Sequence, residues 1–384
     1  MDDGKEIYLD NSATTPCLPA AARAVKKALM QNYGNPSSLH GRGVEASKLL
    51  KNCRQEAADF LAASPQQIFF TSGGTEANNL AIMGTAGRQK HQGKHILTTE
   101  IEHPSVYQPI KYLEENKGFE VTRLKPDERG FISAEQVQEG LRSDTILLSA
   151  MQVNNETGAR QPLAEIGKII SGSELPLFHV DAVQAPGSVG TRPAAWQADL
   201  VSYSGHKFQG PKGTGFLYIK DSNLVEPQLR GGGQEKNMRS GTENMPGLAG
   251  LKVALKELPD LSPGESSGRL EDLRAYFLEK LKKRLPRAVL NSPREDCAPH
   301  LINFSLPGIK GEVIINALSR RNIYISSGSA CHSQKGRLSR VLQAMEIEGP
   351  RLEGALRVSL SLSTTRKELD EFFAACAEET ELLF

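Results

Sequence analysis

Between about residue 41 and residue 220 the chain alternates segments with apolar residues at helical spacing and short apolar runs of strand length. This feature constrains the fold most. "VEASKLLKNCRQEAADFLAA" has the helical spacing, and "QIFF" follows as a strand ending in "TSGGTEANNLAI", a glycine turn that opens a helix. "HILTTE" and "FEVTRL" read as strands around the helix "SVYQPIKYLEENKG", which closes at Gly118. "SAEQVQEGL" opens with Ser133 and Gln136 at capping-box spacing. "TILLSAMQV", "LPLFHVDAV" and "ADLVSYS" read as further strands, with "LAEIGKII" as a helix between the first two. Parallel neighbours need crossover connections, so the expected fold class is α/β, a mostly parallel sheet flanked by helices on both faces.

After "GGGQEKNMRSGTENMPG" a helical stretch runs to about Leu258, and the Pro, Gly and Ser of "PDLSPGESSGR" break the pattern. "LEDLRAYFLEKLKKRL", "LINFSL", "GEVIINALSRR" and "ALRVSLS" then suggest a smaller α+β domain, which the N-terminal "IYLDNSATTP" joins or bridges. The expected division is a large domain over residues 18–258 and a small domain from residues 1–17 and 259–384. A length of 384 residues suits two such units.

The formal net charge of +1 carries no electrostatic footprint for nucleic acid or an anionic membrane surface. No apolar run approaches the ~20 residues of a bilayer span. The acidic opening "MDDGKEIYLDN" passes straight into a strand-like pattern without the marks of a signal or transit peptide, so a cytoplasmic location is expected. Five cysteines, Cys17, Cys53, Cys297, Cys331 and Cys376, are scattered with no C-x-x-C pair, against a disulfide framework or a zinc knuckle. Cys53 falls within helical periodicity and is expected to be buried packing.

Strand ends carry the polar residues. In open α/β sheets ligands bind beyond the carboxyl ends of the strands, and "LVSYSGHKFQGPKGTG" delivers Ser204, His206 and Lys207 there. "FFTSGGTEAN" sets Gly73, Gly74 and Thr75 at a helix start, where free N–H groups favour an anion such as phosphate. It is neither a Walker A loop nor a dinucleotide turn. "TTEIEHPSV" places His103 just after a strand, and "FHVDAVQA" ends one with Asp181, Gln184 lying three residues on. Taken singly, each has a bland reading as a solvated lysine, a plain connection, a structural histidine or a helix cap.

One requirement unites them. A carbonyl cofactor such as pyridoxal 5'-phosphate needs an amine to hold its aldehyde, an acid at its ring nitrogen and a cradle for its phosphate. Lys207, Asp181 and the Gly74–Thr75 turn meet these needs. His103 can cover the ring, Gln184 can donate to the ring oxygen, and Ser204 and His206 can complete the phosphate site.

The motifs "YLDNSATTP", "YGNPSSLHGRG", "FTSGGTEANN", "EHPSV", "NNETGARQPL", "HVDAVQA", "SGHKFQGPKGTG", "GGGQEKNMRSGTEN", "SSGSACHS" and "LRVSLS" come in an order that resembles the cysteine desulfurases of the NifS/IscS type. These belong to the class V aminotransferase group, with the pyridoxal-phosphate-dependent transferase fold of type I. The resemblance spans nearly the whole chain and implies a homodimer with its active site at the subunit interface. Lys207 is then the Schiff-base lysine and His103 the ring-stacking histidine. Asp181 and Gln184 contact the ring nitrogen and phenolic oxygen, and Thr75, Ser204 and His206 hold the phosphate. Thr242 reaches the phosphate of the partner subunit, and Asn155 and Arg357 hold the substrate carboxylate.

Cys331, in "SSGSACHSQKGRLSR", points to the reaction. A thiol attacks as thiolate, and His332, Lys335, Arg337 and Arg340 offer possible activating neighbours. The alternative is a small filler residue in a tight turn, which the "SSGSAC" match disfavours. The expected reaction converts L-cysteine to L-alanine with a persulfide left on Cys331. Lys207 would be the base once its ordinary pKa of ~10.4 is lowered by a confined site, and His103 would assist proton transfer. Selenocysteine lyase activity uses the same layout, and an idle sulfur-carrier or docking subunit is the rival from another class; intact Lys207, Asp181, His103 and Cys331 argue against the latter. Ser361 and Leu362 stand about where the family usually has a glycine and a bulkier residue. The sequence runs to "ELLF", shorter than the tail with which housekeeping members dock an iron-sulfur scaffold, so the resemblance leaves the acceptor open, a protein such as an iron-sulfur scaffold or a tRNA-thiolation protein. The cysteine segment resembles the longer-loop branch of the family.

Overall fold

The computed structural model describes residues 6–172, 176–328 and 338–383. Its centre is a seven-stranded sheet in the order Ile68–Thr71, Gly215–Ile219, Leu200–Ser204, Leu177–Asp181, Thr145–Met151, His95–Thr99, Glu120–Leu124. The five strands from Leu200–Ser204 to Glu120–Leu124 pair in parallel, as the alternation requires. The sheet is mostly parallel, as expected; Gly215–Ile219 is antiparallel to both of its neighbours. Thr145–Met151 is buried along its whole length, the result of covering a parallel sheet on both faces.

The two faces have separate cores. Ile82 and Ala86 of the helix Gly74–Gln89 and Val106 and Ile110 of the helix Pro104–Lys117 pack over Ile96, Ile146 and Leu177. On the opposite face the helices Gly41–Leu61, Leu163–Ile170 and Met245–Lys256 cover Leu97, Leu148, Phe178, Val180 and Val201. Cys53 lies in this second core, and burial pushes its thiol up to about 12, so it is packing rather than a reactive group. Gly118 ends Pro104–Lys117 at φ 67°, and Ser133 and Gln136 form the capping box that their spacing predicts.

A separate cluster joins Ile7 and Leu9 to residues between Leu270 and Cys376. Its antiparallel sheet runs Ala355–Ser359, Leu301–Ser305, Val289–Leu290, backed by the helices Gly268–Arg284 and Arg366–Leu383. Ile7–Tyr8 pairs in parallel with Ile323–Tyr324. The chain then passes from this small unit to the strand ends of the large sheet, where the Thr15 N–H donates to the His206 carbonyl at 2.9 Å.

Candidate active site

The carboxyl ends of Ile68–Thr71, Leu200–Ser204, Leu177–Asp181 and Thr145–Met151 lie along one edge of the sheet, because the antiparallel strand Gly215–Ile219 restores a common direction to its two neighbours. Beyond that edge is a cavity of about 240 Å³, bringing together Gly74, Thr75, His103, Asn155, Asp181, Gln184, Ser204, His206 and Lys207.

Gly74 begins its helix beside Val183 and Ser204: an added Cβ would stand 2.8 Å from Val183 Cγ2 and 3.4 Å from Ser204 Cβ. The preceding Gly73, at φ 149°, takes a conformation that L side chains rarely adopt. Close packing of this turn against Ser204 leaves helix N–H groups and hydroxyls facing one small volume, a suitable cradle for a phosphate. His206 joins it as a neutral imidazole. Burial, helped by the charges of Lys207 and Lys212, lowers its pKa to about 4, and Nδ1 lies 3.2 Å from Thr14 Oγ1.

Asp181 is buried, and desolvation holds its carboxyl above the usual range against the opposing Val183 N–H, Asn78 amide and Lys207 charge. Val183 donates to Oδ1 at 3.0 Å and Asn78 Nδ2 to Oδ2 at 2.8 Å. An acid so placed can share a proton with a ring nitrogen. The same Asn78 nitrogen donates to Ser105 Oγ at 2.8 Å, and that hydroxyl lies 2.7 Å from His103 Nδ1. Nδ1 also accepts the Ser105 N–H at 3.1 Å, which places the proton of a neutral His103 ring on Nε2. His103 therefore caps its helix while one ring nitrogen remains a proton donor.

Lys207 Nζ donates to the carbonyls of Ser12 at 2.5 Å and Ala13 at 3.0 Å, and Gln184 Nε2 donates to the same Ser12 carbonyl at 3.0 Å. Arg357, fully buried, donates to the Asn155 carbonyl at 2.8 Å and pairs with Asp10 at 2.9 Å. Its Nε and the Asn155 Oδ1 are buried without hydrogen-bond partners among the described residues, two polar atoms that a bound ligand can satisfy. A second cavity, of about 60 Å³, reaches Lys207 from the side of Ser361, Leu362 and His300.

These residues fit pyridoxal phosphate: a lysine for the aldehyde, a buried acid for the ring nitrogen, and a glycine-rich helix start for the phosphate. Thr242 is exposed and does not line the cavity. Cys331, with His332, Lys335 and Arg337, lies outside the described residues. Arg340, expected among the activating charges near that thiol, is committed elsewhere: it donates to the Glu102 carbonyl and its guanidinium lies 3.9 Å from the centroid of the Tyr107 ring.

Sequence reasoning missed Asn78, Ser105, Asp10 and Ser12. Asn78 had a weak signal, an amide one residue after Ala77 and two before Leu80 in a buried helical stripe.

The aminotransferase class-V family model matches residues 7–372. A relative named cysteine desulfurase IscS from Dictyoglomus turgidum is 40% identical, covering 95% of this chain and 92% of its own. A solved NifS-like protein superposes with a TM-score of 0.90 at 34% identity, over 99% of this chain and 100% of that one. A structure titled SspA in complex with cysteine gives 0.81 at 32% identity, over 94% and 100%.

Proposed function

The chain belongs to the class-V aminotransferase family as a pyridoxal-phosphate-dependent cysteine desulfurase, and from that premise we propose the route of the sulfur: from L-cysteine to Cys331 as a persulfide, and from there to an acceptor protein. The convergence of Lys207, Asp181 and the helix start at Gly74 on one cavity carries this reading. When bound, the cofactor supplies a protonated ring that stabilises negative charge at the substrate α-carbon.

The protein's own groups do the rest. Asp181, with Asn78 and Val183 donating to it, holds the ring proton. Arg357 and Asn155 receive the substrate carboxylate, which orients the α-proton toward Lys207, the base that removes it. His103, with Nδ1 occupied by Ser105, handles a proton at Nε2. The Cys331 thiolate attacks the substrate sulfur. The S–S bond forms as the C–S bond breaks, and the carbon skeleton takes up protons and leaves as L-alanine.

The same proposal includes a homodimer in the cytoplasm, with Thr242 serving the partner's phosphate site. Support for the dimer comes from Leu29, Met30, Tyr33, Leu39 and Val44, large apolar side chains left exposed within a short stretch of the chain. The acceptor is an iron-sulfur scaffold or a tRNA-thiolation protein.

The test is release of L-alanine and sulfide from L-cysteine by the purified, yellow protein, with and without a reductant. Equimolar products are expected. Cys331→Ala should abolish the protein-bound persulfide and leave the visible absorbance unchanged; a persulfide still carried by that variant overturns the route.

A further inference from the structure

Two residues just after the segment that carries Cys331 are tied to the immediate sequence neighbours of two site residues. Ser339 Oγ donates to Glu156 Oε2 at 2.5 Å, and Glu156 follows Asn155. Arg340 donates to the carbonyl of Glu102, which precedes His103. Ser339 also accepts the Leu342 N–H at 3.0 Å, so this anchor caps the helix Arg340–Ala344 as well.

The other end of the segment meets the same carboxylate. Gly328, at φ 139°, stands so close that a Cβ there would lie 2.9 Å from Glu156 Oε2. Just before it, Ser326 and Arg357 exchange backbone hydrogen bonds, the Ser326 N–H to Arg357 at 3.1 Å and the reverse at 2.6 Å. One carboxylate oxygen therefore accepts from the stem that follows the segment and lies close enough to the preceding stem to leave no room for a side chain at Gly328.

Glu156 is itself firmly mounted. Its side chain is buried, its N–H donates to Asn154 Oδ1 at 2.9 Å, and its carbonyl accepts from Asn303 Nδ2 at 3.2 Å. Burying a carboxylate is costly unless hydrogen bonds offset it, and here the Ser339 hydroxyl supplies one, joining the loop that presents Asn155 to the stem beyond Cys331.

We propose that Glu156 is a positioning residue for sulfur transfer, its carboxylate fixing both ends of the Cys331 segment against the loop that carries Asn155. The inference rests on Cys331 as the sulfur acceptor. Two residues lie between Gly328 and Cys331, three chain steps that span at most about 11 Å, so a displaced stem displaces the thiol's reach. Transfer between two sulfur atoms is sensitive to such displacement, because a misplacement of about 1 Å can cost about 10²-fold in rate.

The experiment follows one turnover of the cofactor-loaded enzyme with L-cysteine by rapid quench, reading persulfide on Cys331 by mass spectrometry and cofactor binding and cysteine affinity by visible absorbance. Glu156→Ala and the milder Ser339→Ala are expected to slow persulfide formation at least ~10-fold, while cofactor absorbance and cysteine affinity stay within about two-fold. Glu156→Gln keeps an oxygen for the Ser339 hydroxyl and is expected to regain most of the rate. Unsubstituted rates in both Glu156→Ala and Ser339→Ala overturn the proposal. So does a parallel loss of cofactor binding and rate in both, which makes the contact a requirement of the fold alone. Absence of persulfide on Cys331 in the unsubstituted enzyme overturns the function of Cys331 and this inference with it, an outcome distinct from either of the others.

Discussion

Asn78 Nδ2 donates to Asp181 Oδ2 at 2.8 Å, joining the helix that begins at Gly74 to the acid at the end of the strand Leu177–Asp181. The same nitrogen reaches Ser105, and through it His103, so one amide orients both the Asp181 carboxyl and the His103 imidazole at the cavity. Replacing Asn78 by Leu removes a hydrogen bond to a buried carboxyl, a loss of about 1.5–3 kcal/mol. Cofactor affinity is expected to fall about 10- to 100-fold by that measure. Titration of the apoprotein checks it, and unchanged affinity would contradict the role.

Lys207→Ala should eliminate turnover while leaving the fold intact, because the side chain lines the cavity and donates to two backbone carbonyls at its edge rather than packing in a core. Borohydride reduction followed by mass spectrometry would then find the cofactor joined to the unsubstituted chain and not to the variant.

Gly215 is where the antiparallel strand begins. An added Cβ would lie 2.5 Å from the Tyr203 carbonyl oxygen and 2.7 Å from Gly73 Cα. Gly215→Ala is therefore expected to displace the phosphate turn, costing about 1–3 kcal/mol of stability and weakening cofactor binding. Thermal unfolding with and without pyridoxal phosphate measures both effects; a smaller gain on cofactor addition than in the unsubstituted protein is the expected sign.

Arg357 pairs with Asp10 in the interior, and leaving one partner alone there costs about 3–5 kcal/mol. Arg357→Gln should show that loss in denaturant unfolding together with a raised KM for L-cysteine. A variant that loses stability with an unchanged KM would confine Arg357 to the fold.

Stability should respond to pH with two opposite signs. His179, enclosed by Ser149 and Ser202, has its pKa lowered by burial from 6.5 to about 3. Below 6.5 the unfolded chain takes up a proton that the folded one refuses, so stability falls as pH drops, by up to about 1.4 kcal/mol per unit. Glu102 is buried with Oε1 accepting from Thr99 and Met151, and desolvation raises its pKa from 4.5 to about 8. Its contribution is fully present below 4.5 and is lost as pH rises toward 8. His179→Gln should flatten the acid limb and Glu102→Gln the neutral-to-alkaline limb in unfolding measured from pH 4.5 to 8.5; unchanged slopes would refute both assignments.

The sequence by itself determined the alternating strands and helices, the glycine cradle at Gly73 and Gly74, and Lys207 just past a strand end, because each depends on backbone preferences and periodicity within a few residues. The tertiary structure decided the rest. Gly215–Ile219 has an ordinary strand pattern, and nothing local to it reveals that it runs against its neighbours. Nor does local pattern bring Ser12 to Lys207 or Asp10 to Arg357, contacts made across 195 and 347 residues. Asn78 reads as a polar position on a helix until Asp181 is set beside it. Such pairings follow from the order of strands in the sheet and the return of the N-terminal segment across its edge, and the free energy that fixes them comes from burying two whole elements against each other, a quantity that no single stretch of sequence contains.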